Sequence, residues 1–138
     1  MAIDWGQRRI GVALSDESGS IAFPHTVIQR SGSLDRDLEQ IADISRINGV
    51  STVVFGLPVR LDGSMGPEAS GVLEVAGKMR QKIDLPVKTW DERLSTAAAE
   101  RALIDGNVSR TKRRKLVDRV AAAIILQSYL DRETGELP

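Results

Sequence analysis

The chain has 138 residues, 41% hydrophobic and 28% charged, with 19 basic and 19 acidic side chains, the makeup of one domain over residues 1–138 with its own core. A balanced charge gives no global pull toward nucleic acid, so any such binding has to come from local clusters. Cysteine is absent and His25 is the only histidine, which excludes disulfide scaffolds, thiolate zinc sites and histidine-rich metal centres.

Three strands open the chain. Ala2–Trp5 reads as a short strand, and Arg8–Asp16 as a second, with Ile10, Val12 and Leu14 alternating with smaller residues around a tight turn at Gly6. Ile21–Gln29 is a third, and Pro24 inside it marks an edge or a bulge. Short connections make these an antiparallel meander. Ser33 is placed to cap a helix over Leu34–Ile47, which Asn48-Gly49 ends. Thr52–Phe55 is a β-branched apolar run, the pattern of a buried central strand.

Gly56–Pro67 reads as a loop, rich in glycine and proline with an Asp62-Gly63 turn, and could act as a flap. A helix over Glu68–Ile83, a fifth strand over Val87–Trp90, and a helix from Ser95 to about Ile104 follow. A periodic helix over about Lys112–Asp131 comes last, and residues 132–138 read as a frayed tail. The order βββαβαβαα predicts an α/β fold with a mixed five-stranded sheet flanked by helices. No apolar run is long enough to cross a bilayer and no signal-peptide pattern is present, so a cytoplasmic protein without membrane contact is expected.

Acidic residues placed on core elements carry the functional reading. Asp4 ends the first strand and is followed by Trp5-Gly6; Asp91-Glu92 end the fifth; Asp118 lies on the last helix among Leu116, Val117, Val120 and Ala121. Carboxylates are rarely buried unless paired or bound to metal. Three on core elements point to a shared site for a hard cation such as Mg²⁺, with phosphate completing its shell. Strand residues alternate faces, so Asp91 and Glu92 cannot both serve one site, and the pattern alone leaves the choice open.

Arg110-Thr111-Lys112-Arg113-Arg114-Lys115 set five cations at the start of the last helix, against the helix dipole. A polyanion passing that terminus would explain them, with Arg8, Arg9, Arg60 and Ser64 as further phosphate contacts. Trp5 and Trp90 adjoin the acidic positions; they read mainly as packing residues, with stacking on bases as the alternative. His25 has no nucleophile elbow beside it, so a Ser-His-Asp triad finds no support.

The blocks Asp4-Trp5-Gly6-Gln7-Arg8-Arg9-Ile10-Gly11-Val12-Ala13, Val54-Phe55-Gly56-Leu57-Pro58, Asp62-Gly63-Ser64, Trp90-Asp91-Glu92-Arg93-Leu94-Ser95-Thr96 and Lys112-Arg113-Arg114-Lys115-Leu116-Val117-Asp118 occur in that order. Together they resemble the YqgF family, also called RuvX, over roughly residues 2–131. The resemblance implies an RNase H-like fold related to the RuvC resolvases. It further implies a nuclease, either Holliday junction resolvase-like or maturing the 5′ end of precursor 16S ribosomal RNA. By motif it maps the acidic site onto Asp4, Glu92 and Asp118, with Asp91 as runner-up, holding one or two Mg²⁺ or Mn²⁺ ions. The implied partner is RNA, or single-stranded or branched DNA. Junction resolution would call for a homodimer, since two strands of opposite polarity must be cut.

The chain departs from the family pattern at Trp5, bulkier than usual, and at Arg60, where Asn is common. Two other classes compete with this expectation. One is a binding module with the fold but no catalysis. The other is an actin-like phosphotransferase, which needs a second glycine-rich phosphate motif that this sequence lacks.

Overall fold

The computed structural model describes residues 1–93 and 110–133, with the side chains of 110–119 left aside. The elements are β1 (Ala2–Trp5), β2 (Arg9–Ser15), β3 (Ala22–Gln29), α1 (Leu34–Ile47), β4 (Val53–Leu57), α2 (Pro67–Lys82), β5 (Val87–Asp91) and α3 (Arg110–Glu133). The expected helix from Ser95 to Ile104 and residues 134–138 of the expected tail lie outside the described residues, while residues 132–133, expected as tail, continue α3.

The five strands form one sheet in the order β3-β2-β1-β4-β5. β1, β2 and β3 are the antiparallel meander read from the sequence. The register between β2 and β3 shifts at Val12/Ala13, where Thr26 and Pro24 are the successive partners and His25 is the extra residue. A proline cannot donate to a ladder, so it stands at this bulge on the sheet's outer strand. β4 runs parallel to β1 and to β5, which requires the helical crossovers that α1 and α2 provide.

One strand boundary differs from expectation in a way that bears on the site. β4 continues through Gly56 and Leu57, which the sequence reading assigned to the following loop. Parallel pairing of Gly56 with Trp90 and of Leu57 with Asp91 carries the strand two residues further.

The sheet buries both faces. On one side Ile3, Ile10, Val12, Leu14, Val53, Phe55 and Val87 pack against α1 (Leu38, Ile41) and α2 (Val72, Val75, Ala76, Met79). The other side is lined by small residues: Ala2, Ala13 and Val54 meet Ala122, Ile125 and Leu126 of α3. Small side chains let the helix lie close on the sheet. The alternation of strand side chains therefore assigns each position to an α1/α2 face or an α3 face.

A buried ion pair fixes the turn that follows β1. Asp37 on α1 is fully buried and accepts hydrogen bonds from Arg30 Nε (2.9 Å) and from the Ser31 N–H (3.0 Å). Arg30 Nη1 donates to the Gly6 carbonyl (3.2 Å), and its guanidinium lies 4.4 Å from the Trp5 ring centroid. Burial pushes the Asp37 carboxyl up, but the Ser31 and Arg30 hydrogen bonds outweigh it and hold the group below the usual carboxylate range. Gly6 itself is required here, because a Cβ would stand 2.5 Å from the Arg9 carbonyl oxygen that Gly6 N–H meets across the turn.

Candidate functional site

Asp4 lies in β1 at the centre of the sheet, two residues after Ala2 and therefore on the α3 face. Its partner on β2 is Gly11. On β4 the pair Ile3–Phe55 brings Gly56 level with it on the other side. Asp4 is thus flanked by a glycine on each neighbouring strand. Asp4 is half-buried.

Glu92 comes one residue after β5 ends, with its N–H donating to the Leu57 carbonyl (3.2 Å). Its carboxylate leans back over β4: a Cβ on Gly56 would stand 2.7 Å from Glu92 Oε2 and 2.6 Å from Ile125 Cδ1. Gly56 thus lets Glu92 and α3 close over the strand beside Asp4, and the two acids share the α3 face. Burial pushes the Glu92 carboxyl up, the charge of Asp91 pushes it further the same way, and no hydrogen bond among the described residues counters them.

Asp91 faces away from this centre. Its carboxylate takes a hydrogen bond from Arg93 Nε (2.8 Å) and an ion pair with Arg93 Nη2 (2.7 Å), and it is well exposed. The Arg93 guanidinium holds its carboxyl below the usual range, against a smaller upward push from burial. Asp91 is thus already paired with a neighbour, whereas Glu92 has no counter-charge among the described residues.

Asp118 lies on α3 seven residues before Ile125, about 10 Å along the axis. The positions 118, 121, 122 and 125 form one helical stripe, and Ala121, Ala122 and Ile125 are buried. The side chain of Asp118 is outside the described residues. Asp4 and Glu92 are therefore the pair brought together among the described residues, which contain no cluster of three metal-ligating side chains.

A family model described as "RuvX: Holliday junction resolvase" matches residues 1–132. A relative from Desulforudis audaxviator, named "Putative pre-16S rRNA nuclease", is 47% identical over 136 residues, covering 98% of this chain and 96% of that one. The chain belongs to the RuvX family. A second relative of the same name, from Symbiobacterium thermophilum, is 46% identical and covers 99% of this chain and 94% of its own. The solved structure of T. thermophilus RuvC in complex with Holliday junction substrate aligns with a TM-score of 0.58 at 15% identity, over 96% of this chain and 94% of that one. At that identity the likeness speaks for the fold, which is the RNase H-like architecture expected from the motifs.

The other expected contacts of this RuvX chain are spread unevenly. Arg110, Lys112, Arg113, Arg114 and Lys115 occupy the first two turns of α3, which hold no acidic residue in the first turn; their side chains are outside the described residues. Arg8 is exposed in the turn after β1 and Arg9 is half-buried at the start of β2. The segment after β4 is a loop that contains the expected turn at Asp62-Gly63. Gly63 N–H donates to the Arg60 carbonyl (2.8 Å) and Arg60 N–H to the Ser64 carbonyl (3.0 Å), with Gly63 at φ +88°. Ser64 N–H and Oγ both donate to Asp62 Oδ1 (2.9 and 2.6 Å), and the Arg60 guanidinium rests against Gly66.

Two features of the site escaped the sequence reading. Gly56 was read as a loop residue, although a glycine inside a strand signals close approach of another group. Lys88 and Trp90 stand at alternate positions of β5 and Glu92 follows two residues on, so a cation and an aromatic ring share the face of the acid.

Proposed function

We propose that this RuvX chain is a divalent-metal-dependent nuclease, with Asp4, Glu92 and Asp118 as the acidic ligands, working in the cytoplasm on the 5′ end of precursor 16S ribosomal RNA. The observation that supports this best is the Glu92 carboxylate, half-buried, without a described donor and on the same face as Asp4. That donor set of carboxylate oxygens suits Mg²⁺ or Mn²⁺. When bound, such an ion supplies Lewis-acid stabilisation of a phosphate and lowers the pKa of a water.

The chain's own residues do the rest. Gly56 lets the Glu92 carboxylate lie against β4 beside Asp4, and the Arg30–Asp37 pair holds the turn next to Asp4. The cations from Arg110 to Lys115, with Arg8 and Arg9, attract the backbone without reading sequence. Junction resolution is the second reading, favoured by the family's description as a Holliday junction resolvase, and it requires a homodimer.

The test is cleavage of labelled single-stranded RNA, single-stranded DNA and a four-way DNA junction, by wild type and Asp118→Asn, with Mn²⁺ or EDTA. Metal-dependent cutting of RNA that is lost in the variant is the expected result. Symmetric cutting of the junction selects the second reading. Equal cutting by the variant, or none by wild type, overturns the nuclease assignment.

A further inference from the structure

β5 is the outermost strand on its side of the sheet, and its α3 face carries more than the acid. Lys88, Trp90 and Glu92 follow one another at every second residue, a step of roughly 6.6–6.8 Å. α3 meets this row with side chains of the same kinds. Trp90 Nε1 donates to Ser128 Oγ (3.1 Å), and the Trp90 and Tyr129 rings meet edge to face at 5.8 Å between centroids. Lys88 Nζ donates to the Tyr129 hydroxyl (3.1 Å) and lies 5.5 Å from its ring centroid. The Arg132 guanidinium is 6.0 Å from the Trp90 ring centroid.

Both rings are part-exposed, and Lys88 and Arg132 are exposed. Interior packing does not need two cations beside two aromatic rings on one exposed ledge. A single strand of nucleic acid does: its bases need π faces, guanidinium included, and its phosphates need cations.

We infer that the ledge formed by Lys88 and Trp90 of β5 with Tyr129 and Arg132 of α3 binds the single-stranded nucleic-acid segment that leads to the Asp4–Glu92 centre. The inference rests on the nuclease reading for its direction toward the acids, and stands on its own as a binding surface. Bases stack on the Trp90–Tyr129 pair and on the outer face of the Arg132 guanidinium, while Lys88 and Arg132 meet phosphates. Recognition of this kind tolerates any base sequence, because every base has a π face. Duplex is disfavoured, because its bases are already stacked.

The experiment is binding of RNA and DNA dodecamers, single-stranded and duplex, to the full chain in EDTA, read by anisotropy and by tryptophan fluorescence. Trp5→Phe makes Trp90 the sole reporter. Saturable quenching of Trp90 by single strands is expected, with weaker binding of duplex. Lys88→Ala and Arg132→Ala, both at exposed positions, are each expected to weaken binding several-fold. Each also lowers the slope of log Kd against log salt by about 0.7, one phosphate contact on a single strand. In cleavage they raise KM and leave kcat in place.

Unchanged Kd and salt slope in both variants, or tighter binding of duplex than of single strands, overturns the ledge even if the chain cleaves. Quenching and the salt effect without cleavage by wild type keep the ledge and remove the nuclease reading. RNA and DNA arms that differ identify which strand the ledge prefers.

Discussion

Gly56→Ala tests the geometry of the acidic site with a single added methyl group. The new Cβ would stand 2.7 Å from Glu92 Oε2 and 2.6 Å from Ile125 Cδ1, where ordinary contact begins at 3.4 Å. Either atom has to retreat by about 0.7–0.8 Å, and both are ends of side chains, so the fold can absorb the change. A misplacement near 1 Å at a reacting centre costs about 10²-fold in rate, so kcat/KM is expected to fall by about 10- to 100-fold. Stability changes less. Overpacking costs about 1–3 kcal/mol, and a stiffer unfolded chain returns about 0.4–1 kcal/mol.

Gly71→Ala is the control. Gly71 lies within α2 with nothing within 4 Å of the position its Cβ would take. Alanine there stabilises the helix by roughly 0.5–1 kcal/mol, a rise of about 2–4 °C per kcal/mol in a chain of this size, with cleavage unchanged. The assay is metal-dependent cleavage beside a thermal melt of each variant. Full activity in Gly56→Ala, or a loss no greater than the fraction unfolded, would refute the claim that Gly56 makes room for Glu92.

Glu92→Gln removes a charge that burial disfavours, so its melting temperature in EDTA is expected to exceed that of wild type while cleavage is lost; a lower melting temperature contradicts the account of Glu92. Asp91→Asn, with its carboxylate exposed on Arg93, is expected to cleave near the wild-type rate. Asp37→Asn leaves Arg30 without its buried partner. Removing one member of a fully buried pair costs about 3–5 kcal/mol; Arg30 is 24% exposed, so about 2–3 kcal/mol is expected from denaturant melts. The Asp37 pKa is lowered in the folded state. Its contribution is therefore present above the ordinary carboxylate value of about 3.9 and lost as pH falls through the lower folded value. Melts of Asp37→Asn against pH are expected to be flatter in that window than those of wild type.

Much of the fold was legible because its signals are local. Ile10, Val12 and Leu14 alternate, Ser33 accepts the Arg36 N–H at the N-cap of α1, and Pro24 marks the bulge in the outer strand. The strand order was not written locally: nothing near Ile3 announces that it lies beside Phe55, fifty residues on. The choice between Asp91 and Glu92 had the same character. Alternation said that they diverge, but which one meets Asp4 depends on the phase of β5 against the sheet. That phase becomes visible only once Trp90 packs on Tyr129. The motif resemblance points to Glu92 with Asp91 as runner-up; among the described residues Asp91 is paired with Arg93 and Glu92 has no counter-charge. The Arg30–Asp37 pair went unread because an Arg and an Asp seven residues apart look like ordinary surface charges.

The account turns on one site held by acids from three distant parts of the chain. Titration of Mn²⁺ into wild type, Asp4→Asn, Glu92→Gln, Asp118→Asn and Asp91→Asn, followed by calorimetry, addresses it without reference to any substrate. The predicted result is binding by wild type and by Asp91→Asn, and severe weakening in each of the other three. Wild-type affinity in Asp4→Asn, Glu92→Gln or Asp118→Asn would contradict a shared metal site, as would loss of binding in Asp91→Asn alone.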